Sequence, residues 1–241
     1  MRESYHRQLQ ALHSELIRMG ALCEEAISCA VQGLLSEDPK LREKAFQLET
    51  DIDTQERDIE TLCERLLLRE QPVAGDLRQI TTAQKIVTDM ERIGDQAADI
   101  ADLSAFMLGS AVKSDVHIGD MARATAKMLT DSVDSFVSSD LVKARMVVAY
   151  DDVVDKLFDT VKNELIDRIS SGIGRADGMD ANAEAVACLD LLMIAKYLER
   201  IGDHAENIAE WVVYSITGER AHFDGHMFRQ GGDAPESEPE A

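Results

Sequence analysis

The stretch ERIGDQAADIAD, residues 91–102, returns as ERIGDHAENIAE, residues 199–210, displaced by 108 positions. A shared pentapeptide in matching helical context is hard to obtain by chance, and it marks an internal duplication. Working upstream, Ser36-Glu37-Asp38 matches Ser138-Ser139-Asp140, and Glu49/Asp53 matches Asp151/Asp155, now displaced by 102. A longer loop before the second ERIGD segment absorbs the difference. The chain therefore reads as two copies of one unit of about 105 residues.

Each copy is helical throughout. Apolar residues recur at spacings of three and four, as in Leu9, Leu12, Leu16, Met19, Cys23, Ile27, Ala30 and Leu34, which is the signature of one buried helix face. Breakers divide the pattern into six helices, expected over about Glu3–Leu35, Pro39–Arg69, Ala74–Leu108, Val116–Val137, Leu141–Ile169 and Asp180–Ile216. Asp38 and Asp140 stand where helix caps belong, and Pro39 fits a first turn. Gln71-Pro72 and the glycines at 172, 174 and 178 interrupt helices. The fold class expected is all-α: two tandem three-helix bundles, residues 1–110 and 115–218. Residues 219–241 form an acidic tail expected to be disordered, because its last stretch is charged, proline-containing and nearly free of large apolar groups.

Forty-six acidic residues against 25 basic ones give a net charge of −21. Such a surface repels phosphate backbones and anionic headgroups, so nucleic acid and bare membrane are excluded as expected partners. It suits metal cations or a basic patch on a protein. No run of 18 uncharged apolar residues is present and MRESYHRQLQ is no signal peptide, so a cytoplasmic protein is expected. Cys23, Cys29, Cys63 and Cys188 form no CxxC pair and read as reduced core residues.

Each unit carries two acid-x-x-x-acid pairs: Glu49/Asp53 with Glu91/Asp95, and Asp151/Asp155 with Glu199/Asp203. Residues four apart share a helix face, about 6 Å apart along the axis. In a chain this acidic, one such pair ordinarily marks a solvated face. All four, however, fall at equivalent places in the two copies. If the helices are neighbours, four carboxylates converge, an oxygen-only set suited to Mg²⁺, Mn²⁺, Fe or Ca²⁺. Gly94 and Gly202 weaken their helices by about 1 kcal/mol relative to alanine and point to a close approach. Arg92 and Arg200 can neutralise a neighbouring acid. His204 is a candidate to support a ligand, although its counterpart is Gln96. Asp99/Asn207 and Asp102/Glu210 extend the acidic surface. His222 and His226 read as surface residues of the tail. Catalysis finds no motif: the only Glu-x-x-His matches, Glu3/His6 and Glu219/His222, sit at the chain ends, whereas di-iron carboxylate enzymes place them on core helices.

At these duplicated segments the chain resembles the PhoU family of phosphate-signalling regulators, over roughly Leu9 to Gly218. The likeness includes Gln71-Pro72, Gly75-Asp76-Leu77-Arg78, both ERIGD helices and their acidic partners. It implies two three-helix bundles side by side, with metal held by the acidic motifs. Position by position, the implied ligands are Glu49, Asp53, Glu91, Asp95, Asp151, Asp155, Glu199 and Asp203, and Fe, Mn, Mg or Zn is the expected metal. It further implies a homodimer that contacts the ATPase subunit of a phosphate ABC transporter and a sensor histidine kinase. Through these it would restrain phosphate uptake and the starvation response. An accessory protein of another anion transporter, or a carboxylate metal-storage or oxidoreductase protein, are the competing expectations.

Overall fold

A computed structural model describes residues 2–70, 72–109, 116–171 and 181–219. Six long helices account for nearly all of them: α1 (Arg2–Ser36), α2 (Pro39–Glu70), α3 (Gly75–Ser104), α4 (Ile118–Ser138), α5 (Leu141–Ser171) and α6 (Ala181–Thr217). No strand occurs among the described residues. The acidic tail from residue 220 onward, with His222 and His226, lies outside them, as do Gln71 and the glycines at 172, 174 and 178.

The two short turns close as the sequence indicates. Asp38 Oδ1 accepts from the Lys40 amide at 2.9 Å, and Asp140 Oδ1 from the Lys143 amide at 2.9 Å. Each aspartate thereby satisfies one of the orphan amides at a helix start. The residue before each cap, Glu37 and Ser139, takes a left-handed backbone with φ of 58° and 53°. After α4, the Asp140 amide reaches back to the Ser135 carbonyl at 2.8 Å and the Ser139 amide to that of Phe136 at 3.1 Å, the paired closure typical of a left-handed helix end.

The third helix ends earlier than its apolar pattern indicates. Its α-helical part stops at Ser104, and Ala105–Met107 continue as a 3₁₀ turn before Gly109 at φ 76°. The Ser104 hydroxyl donates to the Ala101 carbonyl at 2.7 Å, and such i−3 bonding competes with the α-helical ladder at a helix end.

Helices α1, α2 and α3 pack mutually, and so do α4, α5 and α6. The bundles then join along two seams, α1 on α4 and α3 on α6. Four helices therefore form a ring, with α2 seated over α1 and α3, and α5 over α4 and α6. One continuous core results: Leu12, Leu16, Met19, Ile52, Ile59, Met90 and Ile93 in the first bundle and Val154, Leu191, Ile194, Leu198 and Ile201 in the second are all fully buried. All four cysteines are buried and unpaired. Helices α3 and α6 run antiparallel, since Arg78 near the start of α3 lies against Gly218 past the end of α6. No described helix is long and apolar enough to cross a membrane.

Candidate functional site

The acidic pairs sit in two equivalent grooves, one between α2 and α3 and the other between α5 and α6. Glycine sets their width. A Cβ on Gly94 would lie 3.0 Å from Ile52 Cδ1 and 3.2 Å from its Cγ2. One on Gly202 would lie 3.2 Å from Val154 Cγ1 and 3.5 Å from Asp151 Oδ1. Ile52 and Val154 are each the residue before or beside an acid of the partner helix, so the missing Cβ lets the acidic faces meet.

In the first groove, carboxylate oxygens of Glu49, Asp53 and Asp95 lie within 4.8 Å of one another. Glu91 lies one turn away and leans on Arg92, whose Nε is 3.4 Å from Glu91 Oε2 and whose Nη1 is 3.5 Å from Asp95 Oδ2. Arg57 supports Asp53 at 3.4 Å. Glu91 titrates above its ordinary range, first through burial and then through Asp95, with Asp53 and Glu49 adding to the repulsion. Burial also raises Asp95, against the opposing pull of Arg92. Glu56 joins this field: it is raised by burial and then by Glu91.

Carboxyls of the second groove are pushed up further. Asp151 is pushed up to about 7, first by burial and then by Asp155, Asp203, Glu199 and Asp152. Asp203 is raised by burial and then by Glu199, with Lys196 opposing. Glu206 is pushed up to about 8 by burial and then by Asp151, Glu210, Asp203 and Asp155. Half-buried like charges at this spacing disfavour full ionisation, and a cation entering the groove would relieve them.

The structure brings each set of four acids to one groove; of the supporting residues it leaves Arg92 there and places His204, Asp99 and Arg200 elsewhere. His204 Nδ1 sits 2.9 Å from Asp89 Oδ1, across the seam between α3 and α6. Asp99 accepts from the Tyr197 hydroxyl across the same seam, near Arg200. Lys85 lies 5.8 Å from the Trp211 ring there. Arg200, Asp99 and His204 therefore help to join the bundles, while Arg92 lies in the groove. Sequence reasoning missed Glu56, Asp89, Lys196 and Glu206. Glu206 stands three residues past Asp203, on the same face, a spacing that was available to find it. Asp89 had no such signal, because nothing local shows which helix lies across a seam. The Glu-x-x-His matches fall on the Glu3 side chain and on His222, outside the described atoms.

Known proteins share this architecture. The family model described as the PhoU domain matches twice, at residues 16–104 and 118–212. A protein of Clostridium acetobutylicum, described as a phosphate-specific transport system accessory protein PhoU homolog, is 36% identical over 91% of this chain and 97% of its own. A namesake from Pseudomonas aeruginosa is 32% identical over 90% of this chain and 86% of its own. The crystal structure of PhoU from Pseudomonas aeruginosa superposes with a TM-score of 0.79, at 32% identity, over 89% of this chain and all of that one. That of the phosphate transport system regulatory protein PhoU from Streptococcus pneumoniae gives 0.75, at 25% identity over 90% of this chain. Duplicated sequence, paired bundles and double family match agree, and the chain belongs to the PhoU family.

Proposed function

We propose that the chain is an accessory regulator of a phosphate-specific transport system, which restrains uptake and holds the starvation response off when phosphate is plentiful. It works without catalysis, as an adaptor in the cytoplasm and as a homodimer. Its contacts are the transporter's ATPase subunit and a sensor histidine kinase, and the acidic grooves hold metal ions. The observation that carries this reading is the pairing of acid-x-x-x-acid helices across a glycine in both bundles of a PhoU-family chain.

The donor set fits a hard metal. Every candidate ligand is a carboxylate oxygen, three of them already within 4.8 Å of one another in the first groove. This favours Mn²⁺, Mg²⁺ or iron over zinc, which prefers nitrogen and sulfur. A bound ion would supply positive charge that pins two helices of a bundle together. Glu49, Asp53, Glu91 and Asp95 would hold it in one groove, Asp151, Asp155, Glu199 and Asp203 in the other. The remaining surface keeps its strong negative charge, which suits a basic patch on a protein partner.

Deleting the gene tests the reading. Phosphate-responsive genes are expected to be derepressed in phosphate-rich medium, and expression unchanged from wild type sinks the proposal. Affinity purification of the chain from its own cells is expected to bring down the transporter ATPase and the kinase. Recovery of a different anion transporter would move the chain to that system.

A further inference from the structure

We propose that two copies of this chain pair through the outer face of the first turns of α6, where Val186, Leu189 and Met193 are exposed, about a two-fold axis beside Leu189. The proposal rests on the homodimer reading above and deepens it by naming the surface that joins the copies.

The start of α6 is apolar on its outer side as well as its inner one. Inward, Cys188, Leu191, Ile194 and Ala195 are buried. Outward, Val186, Leu189 and Met193 recur at spacings of three and four and are 49%, 56% and 47% exposed. Residues 182–193 hold two charges, Glu184 and Asp190. Glu184 is buried against Arg168 at 2.9 Å, which leaves Asp190 at the edge of the stripe. A helix that is hydrophobic all round is ordinarily covered all round. The bundle itself does not call for these side chains. In the first copy, 108 positions earlier, the same register holds Arg78, Thr81 and Lys85. A repeat that folds with polar groups there shows that apolar ones serve a contact outside the bundle.

The apolar surface continues beyond α6. The seam with α3 runs antiparallel, from Arg78 beside Gly218 to Asp99 bonded to Tyr197, so the 3₁₀ turn Ala105–Met107 packs on α6 near Leu189. Met107 is buried in that contact, while Phe106 and Leu108 on either side of it are exposed. The exposed apolar surface at this end is on the order of 500 Å², at the upper end of what a monomer leaves open. A stable interface buries about 800 Å² per partner, about two thirds of it apolar in homodimers, so the patch and its polar rim meet the need. Charge selects the occupant. At −21 the chain repels its own copies wherever acids are exposed, and an uncharged face is where two copies can meet. A basic partner gains from the acidic surfaces and little from this one. The spacing also fits a self-paired site. In an antiparallel pair of α6 helices with its axis beside Leu189, Val186 packs against Met193 of the partner subunit, and Leu189 lies near its own counterpart.

Sedimentation equilibrium of the full chain over a series of concentrations tests the pairing. Wild type is expected to be a dimer. Leu189→Glu is expected to weaken it by at least about thirtyfold, on the scale of losing a central interface anchor, because two carboxylates then meet at the axis. Leu189→Lys should dissociate for the same reason. An equimolar mixture of the Leu189→Glu and Leu189→Lys chains should regain the dimer, since opposite charges then face each other where like ones did. Ile17→Glu, an equally exposed change on α1, should leave the dimer as in wild type, and circular dichroism should show every variant helical. A dimer that survives Leu189→Glu is held by another face: the homodimer reading then stands and this assignment falls. A wild type that is monomeric at every concentration overturns both. A mixture that stays monomeric, or a dimer lost as readily to Ile17→Glu, also overturns the assignment, because the repulsion is then general rather than local to the α6 stripe.

Discussion

At the scale of single residues, the grooves depend on what two glycines lack. Alanine at position 94 would raise intrinsic helix stability by about 1 kcal/mol. Its Cβ would also meet Ile52 Cδ1 at 3.0 Å and Cγ2 at 3.2 Å, in a core where Ile52 is fully buried. Overpacking of this kind typically costs about 1–3 kcal/mol, so the clash wins. Gly94→Ala is expected to lower stability by about 1 kcal/mol net in urea titrations. Trimming the obstacle in the double variant Gly94→Ala/Ile52→Ala should show the two changes to be non-additive, with the second costing less than it does in wild type. A Gly94→Ala protein at least as stable as wild type would mean that helix packing does not require the glycine. Such residues show how far the chain could be read unaided. Gly94 and Gly202 announced a close approach because a mid-helix glycine is locally unfavourable, and the eight acids announced themselves by recurring. Glu206 and Lys196 escaped because they are where the copies differ, at Ala98 and Thr88, and a repeat points only to what it preserves. Asp89 escaped because its partner, His204, lies on another bundle.

At the scale of elements, the helix faces and caps were legible because they are local. Leu12, Leu16, Met19, Cys23, Ile27, Ala30 and Leu34 are all buried as their spacing requires, and Asp38 and Asp140 cap as expected. The end of α3 was less legible: Phe106 and Leu108 continue the apolar rhythm, yet both are exposed beyond the 3₁₀ turn. The two interhelical turns allow a paired prediction. Ser139 and Glu37 hold the same left-handed position in the two copies, where an L-residue is disfavoured by about 1–2 kcal/mol. Ser139→Gly is therefore expected to stabilise the protein by about 1 kcal/mol, a rise in Tm of about 2–4 °C for a chain of this size. Glu37→Gly relieves the same strain but loses a tie across the first bundle, because Glu37 Oε1 accepts from the Gly109 amide at 2.9 Å. An exposed bond to a charged group offsets about that much, so the Glu37 variant should melt close to wild type. Thermal scans of the two variants side by side check this, and equal gains in both would show that the Glu37–Gly109 bond contributes nothing.

At the scale of the whole molecule, two acidic grooves on one continuous core make stability depend on protons and, under the proposed metal reading, on cations as well. Asp151 titrates at about 7 and Glu206 at about 8 in the folded chain, both far above the ordinary carboxyl range. Their folded pKa values are raised, so the folded state holds these protons more tightly than the unfolded one. The resulting stability is fully present at low pH and is lost as pH rises through about 7 to 8. His13 acts in the opposite sense. Burial lowers its pKa from 6.5, so below about that pH the unfolded state gains the proton preferentially. The carboxyl effect is therefore cleanest between about pH 8.5 and 6.5. In chelator, Tm is expected to climb by about 5 °C across that window as pH falls, a modest figure because both groups are partly screened by solvent. Saturating Mn²⁺ should reverse the trend, stabilising most at the alkaline end where protons no longer compete for the carboxylates. Glu206→Gln should flatten the slope in chelator, since it removes the group with the highest folded pKa without removing the fold. A Tm that is level across the window in chelator, or that falls with acidity there, would show that the groove carboxylates are solvated singly rather than pressed together.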